Sequence, residues 1–472
     1  MDFDDLDAAG GCRLYDIVVY GATGMTGCLI AEHLDAIFSQ PDETPRKWAI
    51  AGRSPDKLKK MVKNCKSEPG VIEVREGENR KDDLELMCEM TTVVINVSGP
   101  YIIAGKDVVA ACVEKNTHYL DVTGEVIYNR RMIDFYHKKA KEKGVMIIIM
   151  CGFMCAVGDA SAYLLAKKLG PLKNYREYYM STAAARGGGS FFSGFAQYEH
   201  MNISEPPLLN DPFALYGERK AGKRKEDMDT KDGERDPMLP EVWISPSFVG
   251  HPGMRIIRRS CHLFEQGGDD GVQYGESVVV ASFDAFSNEM AASQNAVMTR
   301  QPEDVRKIMK NAETMEGGLR RGQGGIPGTG APRETRILSK TEEYAVAEAE
   351  DGTKAYVHFE GPEGYEVTSL LCISGALTLL DEAYEVNAAE RGGVVTPAYA
   401  FHGTTWLERA NAMTFACRPG RNPTWDVVDG ELDQKIVMDS LHANDAHSGM
   451  FQMKLMSGEI KGAEVPELLA GK

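Results

Sequence analysis

Tyr15-Asp16-Ile17-Val18-Val19-Tyr20-Gly21-Ala22-Thr23-Gly24-Met25-Thr26-Gly27 decides the fold. Ile17 to Tyr20 form a short apolar strand buried on both faces, and a helix follows from Met25 to about Ile37. Gly21 allows the tight turn off the strand. Gly24 lets a pyrophosphate approach bare backbone, and Gly27 lets the helix pack closely on the strand. The first-turn amides and the positive end of the helix dipole then face the phosphates. The spacing is G-x-x-G-x-x-G, one residue longer in its first step than the commonest dinucleotide fingerprint. A strand before it, an amphipathic helix after it and further βα repeats are the setting that gives the motif meaning.

Working outward, strands are expected at Trp48–Ala51, Val71–Val74, Val93–Val97, His118–Val122 and Val145–Met150, joined by helices. Near-continuous apolar strands with helical crossovers mean a parallel sheet covered on both faces, a Rossmann doubly wound α/β domain. Ligands bind such sheets at the carboxyl ends of the strands, so the loops 21–27, 52–57, 98–105, 123–127 and 151–158 are the informative ones. Beyond residue 159 the pattern changes. Tyr175–Thr182, Arg255–Phe264, Ser277–Asp284, Tyr344–Ala347 and Ala355–Glu360 read as β segments of a largely antiparallel sheet in an inserted α+β domain. The expected division is a disordered leader at 1–14, the Rossmann domain at 15–158 and the inserted substrate or dimerisation domain at 159–365. A return packing on the Rossmann domain (366–424) and a tail (425–472) complete it. Charge-dense 217–240 and Gly-rich 317–332 read as loops.

The 472-residue chain carries a net charge of −17, which argues against nucleic acid or an anionic membrane as the main partner. The acidic start lacks the basic and apolar regions of a secretory signal, and no apolar run reaches the length of a membrane span. The ten cysteines are scattered, as in a reduced intracellular protein, with a cytoplasmic location expected and peripheral lipid or organelle association left open. No histidine cluster has metal-ligand spacing, so no metal site is expected; no G-x-S-x-G occurs, which leaves a hydrolase without support.

Site residues follow from the strand ends. Gly21, Ala22, Thr23, Gly24, Met25, Thr26 and Gly27 would hold the diphosphate. Arg53 and Ser54 after strand two offer a guanidinium and a hydroxyl where NAD enzymes offer an acid, which favours NADP(H) over NAD(H). Ser98, Gly99, Pro100 and Tyr101 end strand four, on the nicotinamide side. Tyr101, Lys106 and Glu125 are the candidate proton-transfer groups there. For Thr123 and Glu125, capping of the next helix is the competing role.

Several stretches together resemble the saccharopine dehydrogenase-like oxidoreductases, including the trans-acting enoyl reductases. They are Val18–Gly27, Ala51–Ser54, Val94–Tyr101, Tyr119–Glu125, Gly187–Ser190, Gly328–Pro332, Gly361–Tyr365 and Gly392–Ala398. The resemblance implies NAD(P)-linked reduction of a small molecule, a lipid-like enoyl, imine or carbonyl substrate among the options, with a homodimer through the second domain open. The competing function is an NADP(H)-binding sensor or scaffold without turnover. One departure stands out: Cys151-Gly152-Phe153-Met154-Cys155-Ala156-Val157-Gly158-Asp159 lacks the Asp, Ser and Pro that relatives carry after the Gly-Phe pair.

Overall fold

The computed structural model describes residues 13–41, 46–181, 188–217, 225–227, 232–247, 250–267, 272–299, 329–413 and 422–457. The leader up to residue 12, most of the 317–332 loop, much of 217–240 and the last residues of the tail lie outside them.

Strands β1 (Tyr15–Tyr20), β2 (Trp48–Gly52), β3 (Gly70–Glu73), β4 (Thr91–Asn96), β5 (His118–Asp121) and β6 (Met146–Ile148) alternate with α1 (Met25–Phe38), α2 (Pro55–Lys63), α3 (Arg80–Glu89), α4 (Tyr101–Glu114) and α5 (Val126–Glu142). The strand order is β13-β6-β5-β4-β1-β2-β3, all parallel. The order reverses between β1 and β4, the switch point where such sheets leave a crevice. Alternation sends Ile17, Val19, Ile50 and Ile95 to one core and Val18, Ala49, Ala51 and Val94 to the other, which is why these strands are apolar throughout. The seventh strand, β13 (Gly393–Val395), pairs with β6 from far down the chain.

After α6 (Phe153–Leu169) the chain builds a second sheet, ordered β14-β12-β11-β7-β10-β9-β8. Its strands are β7 (Leu172–Ser181), β8 (Glu234–Arg235), β9 (Trp243–Pro246), β10 (Val279–Phe286), β11 (Thr341–Ala349), β12 (Lys354–Gly361) and β14 (Thr424–Asp429). Every pairing is antiparallel except β7 with β10. Helices α7 (Gly188–His200), α8 (Pro206–Leu209), α9 (Gly250–Gly267), α10 (Glu289–Thr299), α11 (Arg333–Leu338) and α12 (Gly364–Asp381) complete the parts used below.

Two expectations are corrected. Arg255–Phe264 is not a strand but the centre of α9. A parallel β7–β10 pair requires a crossover connection, and α9 lies in it. Its Met254, Ile257, Cys261 and Phe264 recur at helical spacing and enter one core. The stretch from 425 is not a separate tail: β14 pairs with β12 from Thr424 to Asp429, and Trp425 stacks on Phe359 at 4.8 Å between ring centroids. Among the described residues no single helix is long and apolar enough to cross a membrane, and the apolar α12 is a core helix packed beside α1.

Candidate functional site

Helix α1 begins at the crevice between β1 and β4. Gly21 has φ +89°, and a Cβ there would lie 2.7 Å from the Ser98 nitrogen. A Cβ on Gly27 would lie 2.4 Å from the Gly21 carbonyl oxygen. Both positions are therefore glycine for internal reasons: a left-handed backbone at one, helix-on-strand contact at the other. Gly24 differs. Its φ of −81° suits any residue, and the nearest atom to a Cβ would be the Gly21 oxygen at 3.3 Å. Among the described residues nothing else crowds this position. Gly24 is also the N-cap of α1, with no side-chain cap and no acidic residue in the first turn. The result is a helix N-terminus with open space before it, the form of an anion seat.

Arg53 stands at the end of β2, its side chain 77% exposed and 3.5 Å from Glu76. Ser54 is the N-cap of α2 but makes no side-chain cap bond, and Pro55 opens that helix. At the end of β4 the Ser98 hydroxyl donates to Asn96 Oδ1 at 2.6 Å, and the Ser98 amide donates to the same oxygen at 3.0 Å. Asn96 in turn donates to the Tyr119 hydroxyl at 3.0 Å, which donates to Asp121 at 2.9 Å. Burial pushes the Asp121 carboxyl up from 3.8 to about 7, although the Met150 and Thr123 amides pull the other way. This buried chain fixes the ends of β4 and β5 relative to each other.

The three candidate proton-transfer groups are placed apart. Glu125 is buried, and its two oxygens accept from the Tyr101 amide at 2.8 Å and the Ile102 amide at 2.7 Å. It caps α4, the helix before it in sequence, rather than α5 as the capping reading expected. Burial raises its carboxyl from 4.5 to about 7 despite both amides. The Tyr101 hydroxyl is buried and donates to the Asn96 carbonyl at 3.1 Å; burial pushes it well above 10. Lys106 is exposed on the outer side of α4, its ammonium 4.8 Å from the Phe135 ring centroid. None of the three is presented to the crevice as a ready donor.

Sequence reasoning missed a different group. Within the stretch quoted for its resemblance, Gly187–Ser190, helix α7 starts at Gly188. The helix lies across the end of β4, with Ser193 Oγ 3.0 Å from where a Gly99 Cβ would be, and Gln197 accepting from the Ile127 amide at 2.9 Å. One turn earlier on the same helix, Ser190 Oγ is 2.8 Å from the Tyr365 hydroxyl at the start of α12. Both stretches were quoted for their family resemblance, but only the tertiary structure joins them.

A bare helix N-terminus at the switch point of a doubly wound sheet defines a dinucleotide-binding protein of the Rossmann class. Residues 17–148 match the family described as "Saccharopine dehydrogenase NADP binding domain". A trans-acting enoyl reductase of Mycobacterium ulcerans is 29% identical over 301 residues, 60% of this chain and 70% of that one. A trans-acting enoyl reductase of Mycobacterium bovis is 28% identical over 417 residues, 82% of this chain and 94% of that one. Among solved structures, saccharopine dehydrogenase (L-Glu forming) of Saccharomyces cerevisiae is similar, with a TM-score of 0.45 and 10% identity over 87% of this chain and 99% of that one. Over residues 17–148 the chain thus carries the NADP-binding domain of the saccharopine dehydrogenase family, and over most of its length it is similar to the trans-acting enoyl reductases.

Proposed function

We propose that this protein is an NADPH-dependent reductase of an enoyl, imine or carbonyl compound, with a lipid-like enoyl favoured by the name its relatives carry. The observation that carries the reading is Gly24: the one glycine of the motif that internal packing does not demand stands before uncapped amides. Gly21 to Gly27 would hold the diphosphate there. Arg53, exposed and only loosely tied to Glu76, is free to swing onto a 2′-phosphate. Ser98 to Tyr101, fixed by Asn96 and Glu125, would hold the nicotinamide end. Once bound, the nicotinamide cofactor supplies the hydride. The Ser190–Tyr365 hydroxyl pair, one turn of α7 from Gly99, holds an exchangeable proton for the atom that gains charge. Homodimerisation through the second sheet and a cytoplasmic location belong to the same proposal; light scattering and cell fractionation test them.

The test is transfer of deuterium from stereospecifically labelled NADPH to enoyl thioesters, cyclic imines and ketones, with a cell extract as an unbiased substrate pool. Label in one product, from one face of the cofactor, is the expected result. Tight NADPH binding with no transfer to any of them would instead favour a sensor or scaffold, a reading supported by the structural roles that already occupy Tyr101 and Glu125.

A further inference from the structure

The order β6-β5-β4-β1 sets a direction along the crevice. With the diphosphate at the start of α1 and the nicotinamide at the end of β4, a reactant meeting the nicotinamide lies over the ends of β5 and β6. Two residues of α6 stand there. Met154 Cε lies 3.5 Å from where a Gly124 Cβ would be, and Pro252 of α9 lies 3.7 Å from the same point. Phe153 Cδ1 lies 2.8 Å from where a Gly364 Cβ would be. Gly364 precedes Tyr365, whose hydroxyl meets Ser190 at 2.8 Å. Phe153 is held firmly: its amide donates to Thr368 Oγ1 at 3.0 Å, and its ring packs edge-on against Tyr179 at 6.2 Å between centroids.

The surface these contacts assemble is apolar and incompletely covered. Val94, Ile95 and Leu120 are fully buried within β4 and β5. Beyond the strand ends Val97, Ile102 and Val122 are only half-buried, as are Phe153 and Met154. Apolar side chains left partly open at the carboxyl end of such a sheet, beside two hydroxyls, are the make-up of a small-molecule site. The α7 side has room as well. Gly194 shares a helix face with Ser190, and among the described residues no atom lies within 4 Å of where its Cβ would be. The charged groups nearest this surface are turned to other partners. Glu125 accepts from two amides of α4, His251 beside Pro252 donates to the Leu209 carbonyl at 2.8 Å, and Lys106 lies on the outer side of α4.

Such a surface discriminates by what it leaves unpaired. A carboxylate pressed against Phe153 and Met154 loses water and gains no partner. A hydrocarbon chain in the same place gains roughly fourfold in affinity for each methylene it buries. We propose, resting on the reductase reading above, that Phe153 and Met154 are specificity-determining residues for the substrate. They form an apolar wall over the ends of β5 and β6 that takes an uncharged hydrocarbon chain next to the reacting carbon and rejects amino-acid-like compounds carrying a carboxylate there. Ser190 and Tyr365 are the polar groups left for the reacting end, and the side of α7 at Gly194 gives the chain its way out.

The test is calorimetric binding of saturated acyl N-acetylcysteamine thioesters, from butanoyl to dodecanoyl, to the full chain with NADPH and again without it. The succinyl thioester, a butanoyl with a terminal carboxylate, is the charged probe. Affinity should rise roughly fourfold per methylene over the first few carbons, and succinyl should bind roughly tenfold or more weaker than butanoyl. Met154→Gln, of similar length and half-buried, should flatten the rise with chain length. Met154→Arg should reverse the preference, so that succinyl binds more tightly than butanoyl, a gain that mere loss of structure does not produce. The proposal is overturned if the wild-type chain binds none of the thioesters in either condition, binds succinyl as tightly as butanoyl, or shows the same chain-length profile after Met154→Gln. Titration of the wild-type chain with NADPH reports on the cofactor separately, and the measurements without NADPH test the wall even where that titration fails.

Discussion

Helices α1 and α4 start at the same end of the same sheet, each after a strand and a glycine-containing turn, yet their N-termini are filled differently. At α4 the amides of Tyr101 and Ile102 are taken by Glu125, which arrives from the end of β5. At α1, among the described residues, no side chain fills that role, and the first turn carries no acid. A helix N-terminus attracts an anion in either case. The protein supplies its own at α4, where it fixes the loop 98–101, and leaves open α1, the end proposed above for the diphosphate. Binding capacity thus resides in which amides are left open, and not in the presence of helix ends.

The contrast can be broken most sharply at Gly24. Gly24→Asp places a carboxylate at the N-cap of α1, in a backbone conformation that accepts it. NADPH binding should fall on the order of a hundredfold, ~2.7 kcal/mol, measured by titration. The melting temperature should hold or rise, because Asp is a good N-cap worth up to ~1 kcal/mol over a poor one. Unchanged binding in a folded variant would remove the diphosphate from α1.

The converse change, Glu125→Ala, opens α4. Two charge-assisted bonds are lost, each worth about 1.5–3 kcal/mol, so thermal denaturation should show a clear loss of stability that Glu125→Gln, with one carbonyl acceptor, partly restores. The pH dependence has a definite sign. The folded carboxyl is raised from 4.5 to about 7, so the folded state holds its proton more tightly than the unfolded state. That contribution to stability is full below about pH 4.5 and is lost as pH rises through about 7. Glu125→Gln should flatten part of this decline; the remainder includes Asp121, which is raised in the same way.

Smaller effects should follow away from the two helix ends. Arg53→Ala should cost NADPH roughly tenfold in affinity, ~1.4 kcal/mol, and leave NADH unchanged. Equal losses for both dinucleotides would refute the 2′-phosphate contact. Glu76→Ala should tighten NADPH by no more than the ~1 kcal/mol of an exposed ion pair. Lys106→Ala, on the outer side of α4 against Phe135, should leave turnover unchanged; a large fall would return Lys106 to the reaction.

The first domain was legible because its signals are local. The β1–turn–α1 unit states its strand, its glycines and its helix within the single stretch Tyr15–Phe38, and the apolar runs of β2 to β6 follow from burial on both faces. The second domain was harder. In α9, arginines at 255, 258 and 259 interrupt the apolar pattern, yet all three are buried, their stems packed and their heads turned to carbonyls such as Leu209, Val280 and Val394. No local pattern reports that.

By itself the sequence determined the doubly wound sheet, the glycine turn after β1 and the family resemblance, since each rests on residue order within short stretches. Only the tertiary structure decided that Glu125 belongs to α4, that Lys106 faces outward and that Ser190 meets Tyr365. Those pairings join residues far apart in the chain, and their geometry exists only once register and crossover have brought the elements together.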